Sequence, residues 1–329
     1  MRHGESLWNV ENRFTGWVDV PLYHTGEAES HRAAASLKAE GFKEFDVVYT
    51  STLKRAIKTA WNVLEDLDIM YTPVHHDWRL NERMYGGLQG LDKAETVAKH
   101  GADQVLIWRR SYDTPPPVME AGNEFHPAKE AKYKNLDPKD IPNTESLKDV
   151  VARFMPLWND TLVPIIKSGK KLLISAHGNT LRALVKHLDD IPEDVIANLN
   201  IPTSVPLVYE LDENLKPIKH AQAWAPMSGR YLGDQEVLTP PLLSFLVSSF
   251  PQSGGVPADA LCVLARAAPP EARRGRVAAG DQGPDCGGRQ PDGQEVERGA
   301  AFRGGCVCLH GRIHLCLVCW ALALRCWTQ

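Results

Sequence analysis

The first 261 residues of this 329-residue chain contain no cysteine, and all seven cysteines fall in the last 68. Lysine is missing in the complementary place, since none follows Lys219. A cysteine-free body excludes a disulfide framework and fits a reducing compartment. Long apolar runs are scarce too. The start is polar, without the apolar stretch of a secretory signal, and residues 315–324 form an apolar run of ten, against the about 20 that a bilayer requires. These absences point to a cytoplasmic protein with no membrane partner. Excess positive charge is also absent: the formal net charge is −4, and residues 239–329, with nine Arg and seven Asp or Glu, leave −6 for residues 1–238. An acidic body offers no basic face to a nucleic-acid backbone, which excludes nucleic acid as the main partner. Any anionic substrate has to be met by a local cluster of Arg and His.

Composition shifts at Thr239. Beyond it the chain is rich in Gly, Ala, Arg and Pro with little sustained apolar periodicity, a pattern that buries too little surface to offset the entropy of ordering. The reading is a catalytic domain over residues 1–238 and an unrelated, disordered C-terminal extension over residues 239–329. Within the extension Cys306, Cys308, His310, Cys316 and Cys319 imitate a zinc site, but their spacing is irregular and no metal is expected.

Residues 1–238 alternate helix and strand signals. Thr25-Gly26-Glu27 reads as the cap and first turn of a helix that runs to Gly41, and residues 45–50 read as a strand. Ile57, Ala60, Trp61, Leu64 and Leu67 follow at amphipathic helical spacing. Leu147, Val151, Phe154, Trp158, Leu162 and Ile165 share the face of a long helix starting at Ser146. A strand over residues 171–176, a helix over 180–188 and a final strand over 205–211 complete the pattern. Strands alternating with helices predict an α/β fold of three layers, α/β/α, around a mainly parallel sheet. The loop-rich middle, residues 79–142, is the expected specificity region.

Chemistry is suggested first by a repeated pair. His3-Gly4 follows Arg2 at the start, and His177-Gly178-Asn179-Thr180 follows the strand over 171–176. Gly178 is expected to let the backbone turn sharply from strand to helix. That places His177 at the C-terminal end of a parallel strand, facing a helix N-terminus, where free N–H groups and the helix dipole favour phosphate. Two such turns imply two imidazoles around one anion. Glu82, among Arg79, Arg83, Tyr85 and a glycine turn, is either a proton carrier or a surface carboxylate paired with Arg83. Arg109-Arg110 is either an anion clamp or an exposed basic helix end. His75, His76, His100, His126 and His187 have no metal-ligand spacing and read as structural or surface groups.

Longer strings are more specific. RHGES with W-N-ENRFTGW-D-PL, TS-LKRAIKTA at residues 50–60, LNERMYGGLQGLDKAET, WRRSYDTPPP and SAHGNTLRALVKHL together closely resemble the cofactor-dependent phosphoglycerate mutases of the histidine phosphatase superfamily. The likeness runs from Arg2 to about His220, with an echo at residues 232–236. It implies the mutase-like fold, with a hydrophobic interior strand immediately before Arg2 that is missing here, and an inserted stretch at residues 223–230. It also implies glycolytic interconversion of 3-phosphoglycerate and 2-phosphoglycerate, with 2,3-bisphosphoglycerate priming a histidine and re-forming in each cycle. A homodimer or homotetramer is implied in the same way.

Carried onto these positions, the resemblance makes His3 the nucleophile and sets His177 across the transferring phosphoryl group. Arg2 and Arg55 are its phosphate-binding arginines, with Asn9 in the same pocket and Gly178 and Asn179 beside it. Glu82 becomes the general acid and base. Tyr85, Lys93, Arg109 and Arg110 hold the substrate carboxylate and distal phosphate, and Thr15-Gly16 contacts substrate through its backbone. Three functions stay open: an active mutase, a phosphatase in which water attacks the phosphohistidine, and a catalytically dead product that pairs at most with intact homologous subunits. The missing strand implies poor folding and little activity for this chain alone.

Overall fold

Val47, Val48, Tyr49 and Thr50 form strand β1 (Val47–Thr50), and every one of them is buried, as expected of a β-branched and aromatic run inside a covered sheet. The computed structural model describes residues 1–233. On either side of β1 lie β2 (Val74–His76) and β3 (Leu172–Ser175), both parallel to it. Val48 and Leu173 face one side, packed with Ala33 and Leu37 of α2 (His24–Ala39) and Val63 and Leu64 of α3 (Lys54–Asp66). Val47 and Tyr49 face the other, packed with Phe154 and Leu157 of α6 (Leu147–Leu157) and Leu181 and Val185 of α8 (Gly178–Asp189). The three-layer α/β/α arrangement therefore follows from the alternation of side chains along β1.

The remaining elements connect these layers. A short helix α1 (Leu7–Val10) follows the first His-Gly pair, and α4 (Lys93–His100) and α5 (Ala102–Arg110) form a hairpin in the middle region. After α6 the chain makes a π turn over Trp158–Leu162 before α7 (Val163–Lys167). Pro156 and Pro164 both lack the N–H of a regular ladder, and the wider turn keeps Leu157, Trp158 and Leu162 all in the core. A small helix α9 (Glu193–Asn198) leads to β4 (Leu207–Val208), which pairs antiparallel with β5 (Arg230–Tyr231).

Several expectations are corrected. Trp61 lies 54% exposed, outside the buried stripe, because α3 turns Arg55, Ala56, Thr59, Ala60 and Val63 inward instead. α2 is capped by Tyr23, and the Thr25 hydroxyl donates to Glu5 rather than capping the helix. Val151 and Ile165 are only partly buried. Within residues 223–230, Met227 is buried and Trp224 packs on the core. β2 was not expected at all. The expected final strand shrinks to Leu207–Val208. The boundary at residue 238, the extension and its cysteines lie outside the described residues.

Arg2 bridges Ala176 and Thr203 in parallel pairing. Beyond Met1, between β3 and β4, lies an apolar cavity of about 360 Å³. No helix among the described residues is long and apolar enough to cross a membrane.

Candidate active site

His3 and His177 are brought together by adjacent strand ends. The His3 N–H donates to the Ala176 carbonyl at 2.9 Å, one residue before His177, and the two rings lie 4.9 Å apart. His177 is itself the extended N-cap residue of α8, so the strand-to-helix transition expected there is observed one residue tighter. Gly178 does not supply a left-handed turn, and a Cβ on it would meet only ordinary contacts at 3.7 Å or more. Gly4 is the position that needs glycine, since a Cβ would sit 2.2 Å from the Gly26 carbonyl. The close approach of these two turns seats His3.

Both imidazoles are almost fully buried. His3 Nδ1 faces the Gly4 carbonyl at 2.6 Å, which assigns the proton to Nδ1 and leaves the lone pair on Nε2, 3.3 Å from the Arg55 Nε donor. Burial holds His3 well below the usual imidazole range, with Arg55 and Arg2 adding repulsion against a bonded Gly4 carbonyl. His177 is depressed in the same way, by burial first and then by Arg55. His3 therefore stands as a neutral base at pH 7. The Ser51 hydroxyl lies 2.7 Å from His177 Nε2, and His177 Nδ1 is buried without a partner among the described residues.

Arginines surround this pair. Arg55 donates to the Val18 and Gly16 carbonyls at 2.9 and 2.7 Å, and its burial lowers it to about 10. Gly16 adopts φ +53, and a Cβ there would strike the Gln89 side chain, so the Thr15-Gly16 turn is built around glycine. Arg2 donates to the Ile201 carbonyl, while its Nε is buried and unpartnered among the described residues.

Glu82 is not a surface carboxylate. It is 9% exposed, and its Oε1 accepts from the Arg83 backbone N–H at 2.7 Å and from the Asn179 N–H and Nδ2 at 3.1 and 2.8 Å. Its supposed partner, the Arg83 guanidinium, instead lies over the Tyr85 ring at 4.6 Å. Burial pushes the Tyr85 phenol up, yet Arg83 and Arg182 bring it down to about 8.

One pocket of about 170 Å³ is lined by Arg2, His3, Asn9, Thr15, Gly16, Arg55, Glu82, Tyr85, Lys93, Arg109, Arg110, Gly178 and Asn179. Every site residue implied by the resemblance thus lines it except His177, which is buried beside His3. Lys93 and Arg110 are both lowered by burial, then by Arg109. Arg182, which the sequence reading passed over, is lowered to about 9 by burial and by Arg110 and Arg83. Ser6, Arg13 and Asn200 also line the pocket. Arg182 was findable: it stands three residues after Asn179 on α8 and donates to that side chain at 2.5 Å. Glu82 is the pocket's one carboxylate among the described residues, and cations that depress one another bind an anion strongly.

A model of the histidine phosphatase superfamily (branch 1) matches residues 1–127 and 119–221. The chain belongs to that superfamily. Among solved structures, a mycobacterial glucosyl-3-phosphoglycerate phosphatase is 25% identical over 66% of this chain and 92% of its own, with a TM-score of 0.49. A protein described as an alpha-ribazole-5'-P phosphatase from Escherichia coli is 18% identical over 71% and 95%, with a TM-score of 0.50, which shows the shared fold. YhfR of Bacillus stearothermophilus is 25% identical over 66% and 91%, with a TM-score of 0.47. Membership of the superfamily makes the chain an enzyme of phosphoryl chemistry, as phosphatase or phosphotransferase.

Proposed function

We propose that the protein interconverts 3-phosphoglycerate and 2-phosphoglycerate through phospho-His3, primed by 2,3-bisphosphoglycerate. The observation that carries this reading is the pairing, in one small pocket, of two sets of cations: Arg2 and Arg55 beside His3, and Lys93, Arg109 and Arg110 on the wall. A simple phosphate ester occupies only the first set. A phosphoglycerate, with a phosphate and a carboxylate, occupies both. The unpartnered donor Arg2 Nε fits the charge of a bisphosphorylated glycerate, which when bound supplies the priming phosphoryl group.

The chain's own groups then divide the work. His3 Nε2 forms its bond to phosphorus as the bond from phosphorus to the leaving oxygen breaks, and Nδ1 stays held by the Gly4 carbonyl. Glu82 donates its proton to the leaving oxygen and takes one back from the neighbouring hydroxyl when the phosphoryl returns to it. Arg2 and Arg55 stabilise the negative charge spread over the phosphoryl oxygens in flight, and His177, its ring 4.9 Å from that of His3, packs beside the nucleophile. Asn179, which fixes Oε1 of Glu82, leaves Oε2 as the oxygen that exchanges the proton.

The test is labelling with phosphorus-32 2,3-bisphosphoglycerate followed by product analysis. The expected result is an acid-labile adduct on His3, absent from His3→Ala, and 2-phosphoglycerate formed faster than inorganic phosphate. An acid-stable adduct, or one that survives His3→Ala, overturns the mechanism. Phosphate released faster than the isomer returns the site to the phosphatase reading.

A further inference from the structure

Arg182 follows Asn179 by three residues on α8 and shares its helix face. It is 7% exposed, and the protein engages both of its terminal nitrogens. Nη2 donates to Asn179 Oδ1 at 2.5 Å, and Nη1 donates to the Ala197 carbonyl of α9 at 3.1 Å. The other end of the same amide meets Glu82: Asn179 Nδ2 donates to Oε1 at 2.8 Å, with the Tyr85 hydroxyl at 3.4 Å. Two hydrogen bonds through a single side-chain amide thus join Arg182 to Glu82.

The direction of these bonds is fixed by what each group is able to give. A guanidinium donates and never accepts, and Arg182, lowered to about 9 by burial and by Arg110 and Arg83, stays charged at pH 7. It therefore tolerates only the oxygen end of the Asn179 amide. A half-turn of that amide sets N–H against N–H at Arg182 and oxygen against oxygen at Glu82. With the half-turn excluded, Oε1 receives three N–H groups, from Asn179 Nδ2, the Asn179 backbone and the Arg83 backbone. Those donors exceed the lone pairs of one carboxylate oxygen. The proton is left to Oε2.

We propose that Arg182 is a positioning residue for proton transfer, holding the Asn179 amide in the one orientation that keeps Oε1 of Glu82 bonded and Oε2 free. The inference rests on the reading of Glu82 as the proton carrier. Arg182 touches no reacting atom in this role. With both terminal nitrogens engaged by the protein it acts on turnover, whereas an arginine that clamps substrate acts on affinity.

The experiment assays the full 329-residue chain and its variants with 3-phosphoglycerate and 2,3-bisphosphoglycerate, turnover being the sum of 2-phosphoglycerate and inorganic phosphate formed. Arg182→Met should lower kcat about tenfold or more, as loss of one charge-assisted hydrogen bond does, and leave KM within about twofold. Arg182→Lys, which keeps a cation that only donates, should recover most of that kcat. In an Asn179→Ala chain, Arg182→Met should cause no further loss. If the Met variant does not fold, Arg182→Gln carries the test, because its amide offers Asn179 a donor or an acceptor and no longer enforces the orientation. Magnetic resonance of nitrogen-15 asparagine needs no turnover and decides the point alone if the chain has none. The Asn179 side-chain amide, identified by its loss in Asn179→Ala, should exchange its protons slowly in the unaltered chain and fast in Arg182→Met. A raised KM with kcat unchanged, an additive loss in Asn179→Ala, or an amide unchanged in Arg182→Met would each overturn the proposal. If Glu82→Gln turns over like the unaltered chain, the reading of Glu82 fails and this inference with it. If Glu82→Gln is slow and Arg182→Met is not, this inference alone fails.

Discussion

Arg153 on α6 holds the loop that carries Glu82, and removing its charge should loosen the fold and the site together. Its Nε and Nη2 meet the two Glu145 oxygens at 2.7 and 3.0 Å, with both side chains at most 6% exposed. The same guanidinium donates to the carbonyls of Trp78, Arg79, Asn81 and Glu82 at 2.8 to 3.3 Å. Glu145 in turn accepts the Met84 N–H. Arg153→Met keeps the apolar stem and removes the head. Breaking a buried ion pair from one side costs about 3–5 kcal/mol, and the Arg79 carbonyl, the best placed of the four, adds about 1 kcal/mol if it stays dry. For a domain of this size about 2–4 °C accompanies each kcal/mol, so the midpoint should fall by about 10–20 °C. Thermal unfolding followed by circular dichroism measures it. Adding Glu145→Gln to the same chain should recover part of the loss, because the stranded charge is gone. A fall of under about 3 °C would refute the claim that this pair organises the Glu82 loop.

Glu82→Gln should lower mutase turnover by about 10²–10⁴-fold while phospho-His3 still forms from the bisphosphate, and Arg109→Ala should chiefly raise KM; unchanged values in steady-state kinetics would count against both roles. Stability should fall with acid. His3 and His177 are bases held below their unfolded values, so below pH 6.5 the unfolded chain binds protons that the native one refuses. The stability present above that value is lost as pH drops. Urea midpoints at several pH values check this, and a flat profile would contradict the burial.

Local chemistry was legible where residues act near their own place in the chain. The paired His-Gly turns, the strand ending at Thr50, the long helix starting at Ser146 and the helix after His177 all follow from periodicity and short-range signals, which a linear reading contains. β2 escaped because three residues, two of them exposed histidines, make no period. Trp61 was misplaced because α3 buries Arg55 and Thr59 for the site, and apolarity gives no warning of that. Arg153 and Ser51 went unnoticed because their roles are bonds to distant groups. By itself the sequence determined which residue types were available, two imidazoles and a set of arginines with one carboxylate among them. Only the tertiary structure decided that Glu82 is buried against Asn179, 97 residues away, and that the His3 ring lies tilted beside that of His177. Those contacts exist because β1 and β3 pair in parallel and deliver the ends of remote segments to one edge of the sheet, and no local propensity encodes that order of strands.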